Sequence, residues 1–343
     1  MVSVKELREE ARRLLAEEKV RYVVGWRRGP DGLTAAPFFA LKPEDADRLI
    51  WDPTCVHNLV RFVRDDKRRR GREKEGDGRP VAIVVKGCDS RAVNVLLQEK
   101  FIERGDVYLI GVSCAKSGVA DEGKIARMLK GRKAEKIEHE GDDAFALTVA
   151  GEKMTVPAGE ILADRCVECQ ANCPVVFDVL LGEDIRRRPA KPYGTVEEHG
   201  ALPAEERQAF WKDQIGRCIR CYACRSVCPM CFCEECVVDT INFAINAATS
   251  AEEKADRIKW IEKSPASSEN FGYHLVRAIH LAGRCIDCGE CQRACPLDIP
   301  VRFLNKKLEK AAKELFDYDV GYDAEGPSLV ASFRDDDPGD FIR

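Results

Sequence analysis

Along the first half of the chain the apolar positions change their period several times, and each change marks an element. From residue 3 to about 18, Val4, Leu7, Ala11, Leu14 and Leu15 fall on one helical face. Ser3 and Glu6 supply the capping-box spacing at its start. Residues 20–26 are a short apolar run that reads as a strand, and Val56, Leu59, Val60 and Val63 predict a helix over 55–70. Residues 80–86 (PVAIVVK) and 107–112 (VYLIGV) are unbroken apolar runs, as strands buried on both faces require. A helical stretch at about 90–103 joins them, and this strand–helix–strand rhythm predicts a parallel α/β layer. Residues 134–157 read as short antiparallel strands with a turn at Gly151.

Residues 1–182 are therefore expected to form an α/β domain. The stretch 183–210, rich in Arg, Pro and Glu, reads as a linker. Beyond it the pattern turns helical at about 238–248, 251–263, 272–283 and 300–316, which predicts an α-helical domain over 211–316. The remainder, 317–343, has little periodicity. It carries Asp335, Asp336 and Asp337, stopped by Pro338, and is expected to be extended until a partner orders it.

Composition narrows the function classes. The 343 residues carry a net charge of −4, which argues against a nucleic-acid surface. The basic run over 64–79 is largely neutralised by Asp65, Asp66, Glu73, Glu75 and Asp77, so it reads as a solvated loop. No run approaches 18 uninterrupted apolar residues, so no transmembrane segment is expected. The charged start, Met-Val-Ser-Val-Lys-Glu-Leu-Arg, is unlike a secretory signal, and a cytoplasmic location is expected.

Cysteine is the outlier. Seventeen cysteines in a reducing compartment read as metal ligands rather than as disulfides, and only five histidines accompany them. Residues 218–229 and 285–296 are two copies of C-x2-C-x2-C-x3-C-P. Three thiolates at this spacing hold one 4Fe-4S cluster from a single loop, and the fourth, before Pro, ligates the other cluster. One cluster thus takes Cys218, Cys221, Cys224 and Cys295; the other takes Cys285, Cys288, Cys291 and Cys228. A pair of zinc knuckles would need fewer thiolates than each run carries.

Nine cysteines remain. Cys88 follows the first buried strand and Cys114 the second, and the C-terminal ends of parallel neighbours meet at one edge. Cys166 and Cys169 form a later C-x2-C. Together they could make a third four-thiolate site, although buried thiols at strand ends are also ordinary core residues. Cys173, before Pro174, is a competing ligand there. Cys231, Cys233 and Cys236 are close enough to hold a fourth cluster completed by Cys55 or Cys173; the alternatives are a zinc site or thiols surrounding the neighbouring cluster. Lys86 and Arg91 flank Cys88, where they could offset cluster charge, bind an anionic cofactor or simply solvate the domain edge.

Three motifs give the N-terminal half a family likeness: VVKGCDSRAVNVL, LIGVSC and RCVEC. With them, the stretch from Val20 to about Leu181 resembles the beta subunit of deazaflavin-reducing hydrogenases and of the related formate dehydrogenases. The resemblance implies Cys88, Cys114, Cys166 and Cys169 as the ligands of a third 4Fe-4S cluster, and FAD beside it. Where those subunits carry a Gly-Gly-containing segment, this chain has LREEARRLLAEEKV, without glycine. The helical spacer between the cysteine runs resembles the α-helical ferredoxin domain of fumarate reductase and heterodisulfide reductase subunits. The expected function is a cytoplasmic electron-transfer subunit, relaying single electrons through three or more clusters. The resemblance implies partners such as a heterodisulfide reductase A-like flavoprotein, a hydrogenase or formate dehydrogenase catalytic subunit, or an NADH-oxidising flavoprotein, including electron-bifurcating assemblies. The alternative is a flavin-containing subunit that itself reduces a deazaflavin or another hydride carrier.

Overall fold

The computed structural model describes residues 2–71, 77–114, 118–141, 143–186, 189, 191–233, 236, 238, 250–256, 261, 264–330 and 332. They divide into two compact units. The first comprises Met1–Pro192, Ile286–Gly289 and Asp319–Arg343; the second comprises Tyr193–Cys285 and Glu290–Tyr318. Residues 239–248 of an expected helix, residues 257–260 of the next, and the acidic run at 335–337 lie outside the described residues.

The first unit opens with α1 (Val4–Ala16), whose Ser3 side chain accepts the Glu6 N–H and whose Leu7, Ala11, Leu14 and Leu15 are buried, as their spacing predicts. The strands are β1 (Val23–Arg28), β2 (Ala35–Ala40), β3 (Val81–Val85), β4 (Val107–Val112), β5 (Ala134–Glu140), β6 (Ala144–Val149), β7 (Glu152–Pro157) and β8 (Val179–Leu181). Five of them form a sheet of order β2-β1-β3-β4-β8. Neighbours from β1 to β8 are parallel, and only the edge strand β2 is antiparallel. All five residues of β3 are buried, which is why its sequence shows no alternation. Pro37 hides β2 from a sequence reading, yet an edge strand tolerates a missing N–H. The other three strands form an antiparallel meander, β5-β6-β7. Ala150 and Gly151, at φ 51° and 78°, join β6 to β7, the left-handed pair that a tight hairpin needs.

The helices of this unit shift where side chains compete for the backbone. Asp52 accepts the Thr54 N–H at 2.8 Å and folds that stretch into a turn, so α2 (Val60–Arg70) begins later than its apolar pattern suggests. In contrast, α3 (Gly87–Gln98) begins directly after Lys86, which puts Cys88 in its first turn. The unit is completed by α4 (Glu122–Leu129), α5 (Ala158–Ile161) and α6 (Asp164–Val167). Residues from the C-terminal stretch pack into it as well. Arg91 Nε donates to Val320 O at 2.8 Å, Asn94 Nδ2 to Gly321 O at 3.0 Å, and Tyr322 Oη to Gln170 O at 2.6 Å.

The second unit is helical. Its first helices, α7 (Gly194–Gly200) and α8 (Ala204–Gly216), occupy much of the stretch whose composition reads as a linker. Polar residues surround most of α8, so no apolar stripe announces it. Four short or regular helices follow: α9 (Ala223–Ser226), α10 (Ala251–Asp256), α11 (Ser267–Leu281) and α12 (Glu290–Arg293), with α13 (Val301–Phe316) last. Cys224, Tyr273, Cys291, Ile299 and Val301 share its core. The fold is thus an α/β region with a parallel sheet followed by a helical region. Among the described residues, no helix is long and apolar enough to cross a membrane.

Candidate metal centres

In the first unit, β3 and β4 pair from Val81↔Val107 to Val85↔Gly111, so their C-terminal ends open at one edge. Cys88 stands there on α3, and Cys114 lies two residues beyond β4. Cys166 lies on α6, with Cys169 on the loop after it. That loop presses on the site. A Cβ on Gly87 would fall 1.7 Å from Ala171 O, and one on Gly118, at φ +64°, would fall 2.7 Å from Cys166 Cβ. The Cys114 N–H donates to Asn172 O at 2.9 Å.

The thiols share one electrostatic environment. Burial pushes Cys88, Cys114 and Cys169 above the ordinary thiol range, Cys169 to about 12. Smaller repulsions link Cys88 to Cys114, Cys114 to Cys166 and Cys169, and Cys169 to Cys166. Lys86 and Arg165 act on Cys88 in the opposite sense. Lys86 is buried over the Trp26 ring at 4.3 Å, with Nζ 2.9 Å from Asp89 Oδ2 and donating to His57 O at 2.7 Å. Burial pushes its ammonium down, and Asp89 and Cys88 more than offset that. Arg165 donates to Cys288 O and to Val56 O, both at 2.6 Å, inside the same unit. Arg91 is engaged with residues 320–322, stacking over Tyr322 at 4.9 Å, while its charge eases Cys169 downward. Buried thiols of this kind favour the protonated form in isolation. Four thiolates are the donor set of a 4Fe-4S cluster; among the described residues, no group of three or more His, Cys, Asp or Glu side chains is drawn together closely enough to hold a metal ion.

The remaining thiols of this unit have other partners. Cys173 Sγ donates to Asp184 Oδ1 at 3.2 Å, and burial with that carboxylate pushes the thiol up to about 11. Cys55 is enclosed in the turn before α2, where Sγ accepts the Asp52 N–H at 3.4 Å and lies 3.9 Å from Ile50 O. It belongs to the first unit, whereas Cys231, Cys233 and Cys236 belong to the second.

The two cysteine runs share a backbone pattern. In the first, Arg220 and Tyr222 flank Cys221 at φ 54° and 60°; in the second, Asp287 and Gly289 flank Cys288 at φ 55° and 67°. Left-handed residues on both sides of the middle cysteine turn successive N–H groups inward, the arrangement that cradles an anion or a cluster. The Arg220 N–H points at Cys218 Sγ at 3.4 Å. Cys218 also feels Cys224 and Cys295, after burial, which raises it. Cys291 is pushed up to about 11 by burial and feels Cys228 and Cys224. Cys228 is held down to about 6, first by the Cys231 thiol donating to it, then by Arg277 and Arg284 against burial.

One face of α11 serves these thiols. Asn270 Nδ2 donates to Cys218 O at 2.7 Å, His274 Nε2 lies 3.4 Å from Cys218 Sγ, and Tyr273 Oη lies 3.6 Å from Cys224 Sγ. Arg277 Nη2 donates to Cys224 O at 3.1 Å. From α13, Asn305 Nδ2 reaches Cys291 Sγ at 3.8 Å. Burial, with Arg277 and Arg220, pushes His274 down to about 4, so its ring is neutral at neutral pH. These residues carry no motif of their own. Only the i, i+3, i+4, i+7 spacing of Asn270, Tyr273, His274 and Arg277, a polar stripe where a core stripe belongs, could have signalled them. Arg277 Nε is buried without a hydrogen-bond partner among the described residues. A lone donor among thiols fits the sulfur-rich, anionic group that the cysteine runs imply.

Known proteins resemble the chain in its C-terminal module and, more distantly, over most of its length. Residues 214–299 match the family model described as a 4Fe-4S dicluster domain. The chain is 24% identical over 374 residues to the F420-dependent formate dehydrogenase subunit beta of Methanocaldococcus jannaschii, covering 92% of this chain and 91% of that one. It is 26% identical over 393 residues to F420-dependent formate dehydrogenase 1 subunit beta of Methanococcus maripaludis, covering 92% and 90%. Among solved structures, it is similar to a chain of the xenon-derivatised F420-reducing NiFe hydrogenase complex from Methanosarcina barkeri. That match has 17% identity and a TM-score of 0.37, over 49% of this chain and 63% of the other.

Proposed function

We propose that this chain, which belongs to the formate dehydrogenase beta-subunit family and carries a 4Fe-4S dicluster module, relays single electrons within a multi-subunit oxidoreductase. The observation that carries the reading is the pair of four-cysteine runs inside the dicluster match. In this reading Cys218, Cys221, Cys224 and Cys295 hold one cluster, and Cys285, Cys288, Cys291 and Cys228 hold another. Cys88, Cys114, Cys166 and Cys169 hold a third, supported by their shared electrostatic environment. A bound 4Fe-4S cluster supplies one-electron oxidation and reduction. The chain's part is to bury the thiolates, supply N–H donors to them, and place Lys86, Arg165 and Arg277 against their charge.

The names of the relatives support a formate dehydrogenase catalytic subunit as the first partner; a hydrogenase, heterodisulfide reductase A-like or NADH-oxidising subunit is the alternative that the sequence resemblance implies. A second reading makes this chain the flavin-bearing subunit that exchanges hydride with a deazaflavin; what favours it is the F420 dependence in the names of relatives matched over nine-tenths of the chain.

Anaerobic purification with iron and sulfide analysis tests the first reading. About twelve irons per chain are expected, four per cube. Cys166→Ser should lower that to about eight and leave the dicluster signals in place; an unchanged iron count would refute the third site. Extractable FAD in stoichiometric amount would establish the second reading.

A further inference from the structure

The stripe on α11 contains one permanent charge. Arg277 is 6% exposed, and its Nη2 is fixed on Cys224 O at 3.1 Å. Apart from desolvation, the groups that act on its charge most strongly are four thiols: Cys228, Cys291, Cys231 and Cys224. Cys224 and Cys228 lie in the first cysteine run, Cys291 in the second, and Cys231 just beyond the first. Cys224 belongs to the first proposed ligand set, and Cys228 and Cys291 belong to the second. Among the described residues, no carboxylate stands among its leading charge partners. Its Nε is a buried donor without a hydrogen-bond partner among the described residues. Burying an uncompensated guanidinium is costly, so such a residue persists where an anionic group compensates it. A cluster held by four thiolates is anionic and gains a further negative charge on reduction. A nearby fixed cation therefore stabilises the reduced form more than the oxidised form.

We propose that Arg277 is a positioning charge shared by the two clusters of the dicluster module, raising the reduction potential of both at once. Its contact with Cys224 O and its charge partners in both ligand sets make the effect joint. Among the described thiols, the neighbouring Tyr273 reaches Cys224 Sγ and Asn305 reaches Cys291 Sγ, so each of those side chains adjusts one cluster. The proposal rests on the two-cluster reading, and the iron content of the native chain separates the two.

The test is an EPR-monitored redox titration of the full chain with Arg277→Gln, Arg277→Met and Arg277→Lys, each with iron and sulfide quantified. In the two neutral variants both clusters should become harder to reduce. The reduced-to-oxidised ratio at fixed solution potential should fall about tenfold, equivalent to ~59 mV for a one-electron couple. Arg277→Lys should recover most of that loss, and Tyr273→Phe should move one cluster only. Unchanged potentials in a neutral variant that retains native iron overturn the proposal. So does a shift confined to one cluster, or iron lost from both neutral variants and kept in the lysine variant, which would make Arg277 an assembly residue. A native chain lacking the expected iron would instead refute the cluster assignment itself.

Discussion

At the scale of single residues, buried charge is handled in two ways. Asp66 on α2 is satisfied by its own neighbours: Tyr22 Oη donates to Oδ1 at 2.6 Å, and Arg21 Nη2 pairs with Oδ2 at 2.5 Å. Burial alone would push its carboxyl up, but the Tyr22 and Arg21 hydrogen bonds more than offset that and hold it below its ordinary value. Its stabilisation is then fully present above the unfolded carboxylate pKa of ~3.9 and is lost as the pH falls through the lower folded value. Asp66→Asn should cost about 3–5 kcal/mol near neutral pH, because it leaves Arg21 buried and unpaired. The penalty should shrink in acid, as read by urea unfolding at several pH values. Arg277 is the opposite case, a buried cation whose leading charge partners among the described residues are thiols rather than carboxylates. The basic stretch around Asp66 was legible as internally neutralised, since alternating charges at short spacing find each other locally. Arg277 was not, because the polar stripe it shares with Asn270, Tyr273 and His274 marks a face without saying that cysteines meet it.

At the scale of elements, the cysteines sort by the segments that carry them. Cys228 and Cys231 flank Pro229 and Met230, and the Cys231 N–H donates to Cys228 O at 3.3 Å. This tight turn lets the Cys231 thiol serve Cys228, which is held low by it. We therefore expect Cys231 to surround a cluster rather than to ligate one. Cys231→Ser should keep the native iron content and shift the potential of the cluster that Cys228 serves, while Cys228→Ser should lose iron. Equal iron loss in both variants would return Cys231 to the list of ligands. Local spacing made both cysteine runs plain, down to their trailing prolines. It could not say whether Cys231, Cys233 and Cys236 act with Cys55, because that depends on which unit each segment joins.

At the scale of the molecule, the chain returns to its first unit near its end. Residues 319–326 lie along α3, with Gln98 Nε2 donating to Gly326 O at 3.3 Å in addition to the Arg91, Asn94 and Tyr322 bonds. Gly321, at φ +71°, has room for no side chain, since a Cβ would lie 2.4 Å from Arg91 O. Removing residues 319–343 deletes at least these four hydrogen bonds at about 1 kcal/mol each. The truncated chain should melt earlier and release iron from the Cys88 site first, with thermal unfolding and iron loss over time as the measurements. Retention of native stability and iron would show that this stretch is dispensable.

What the amino-acid sequence determined by itself is what short-range geometry carries. The two ligand runs, the buried strands β3 and β4, the cap of α1 and the Gly151 turn each depend on residues a few positions apart. Tertiary structure decided the rest. Sheet order brings Cys88 and Cys114 to one edge, and loop closure over Gly87 brings Cys166 and Cys169 toward them. The fold of the second unit sets a polar face of α11 against the thiols. Burial and long-range pairing are properties of the folded chain, and they set Cys55 and Cys173, each with its own hydrogen-bond partner, apart from the thiols that face α11.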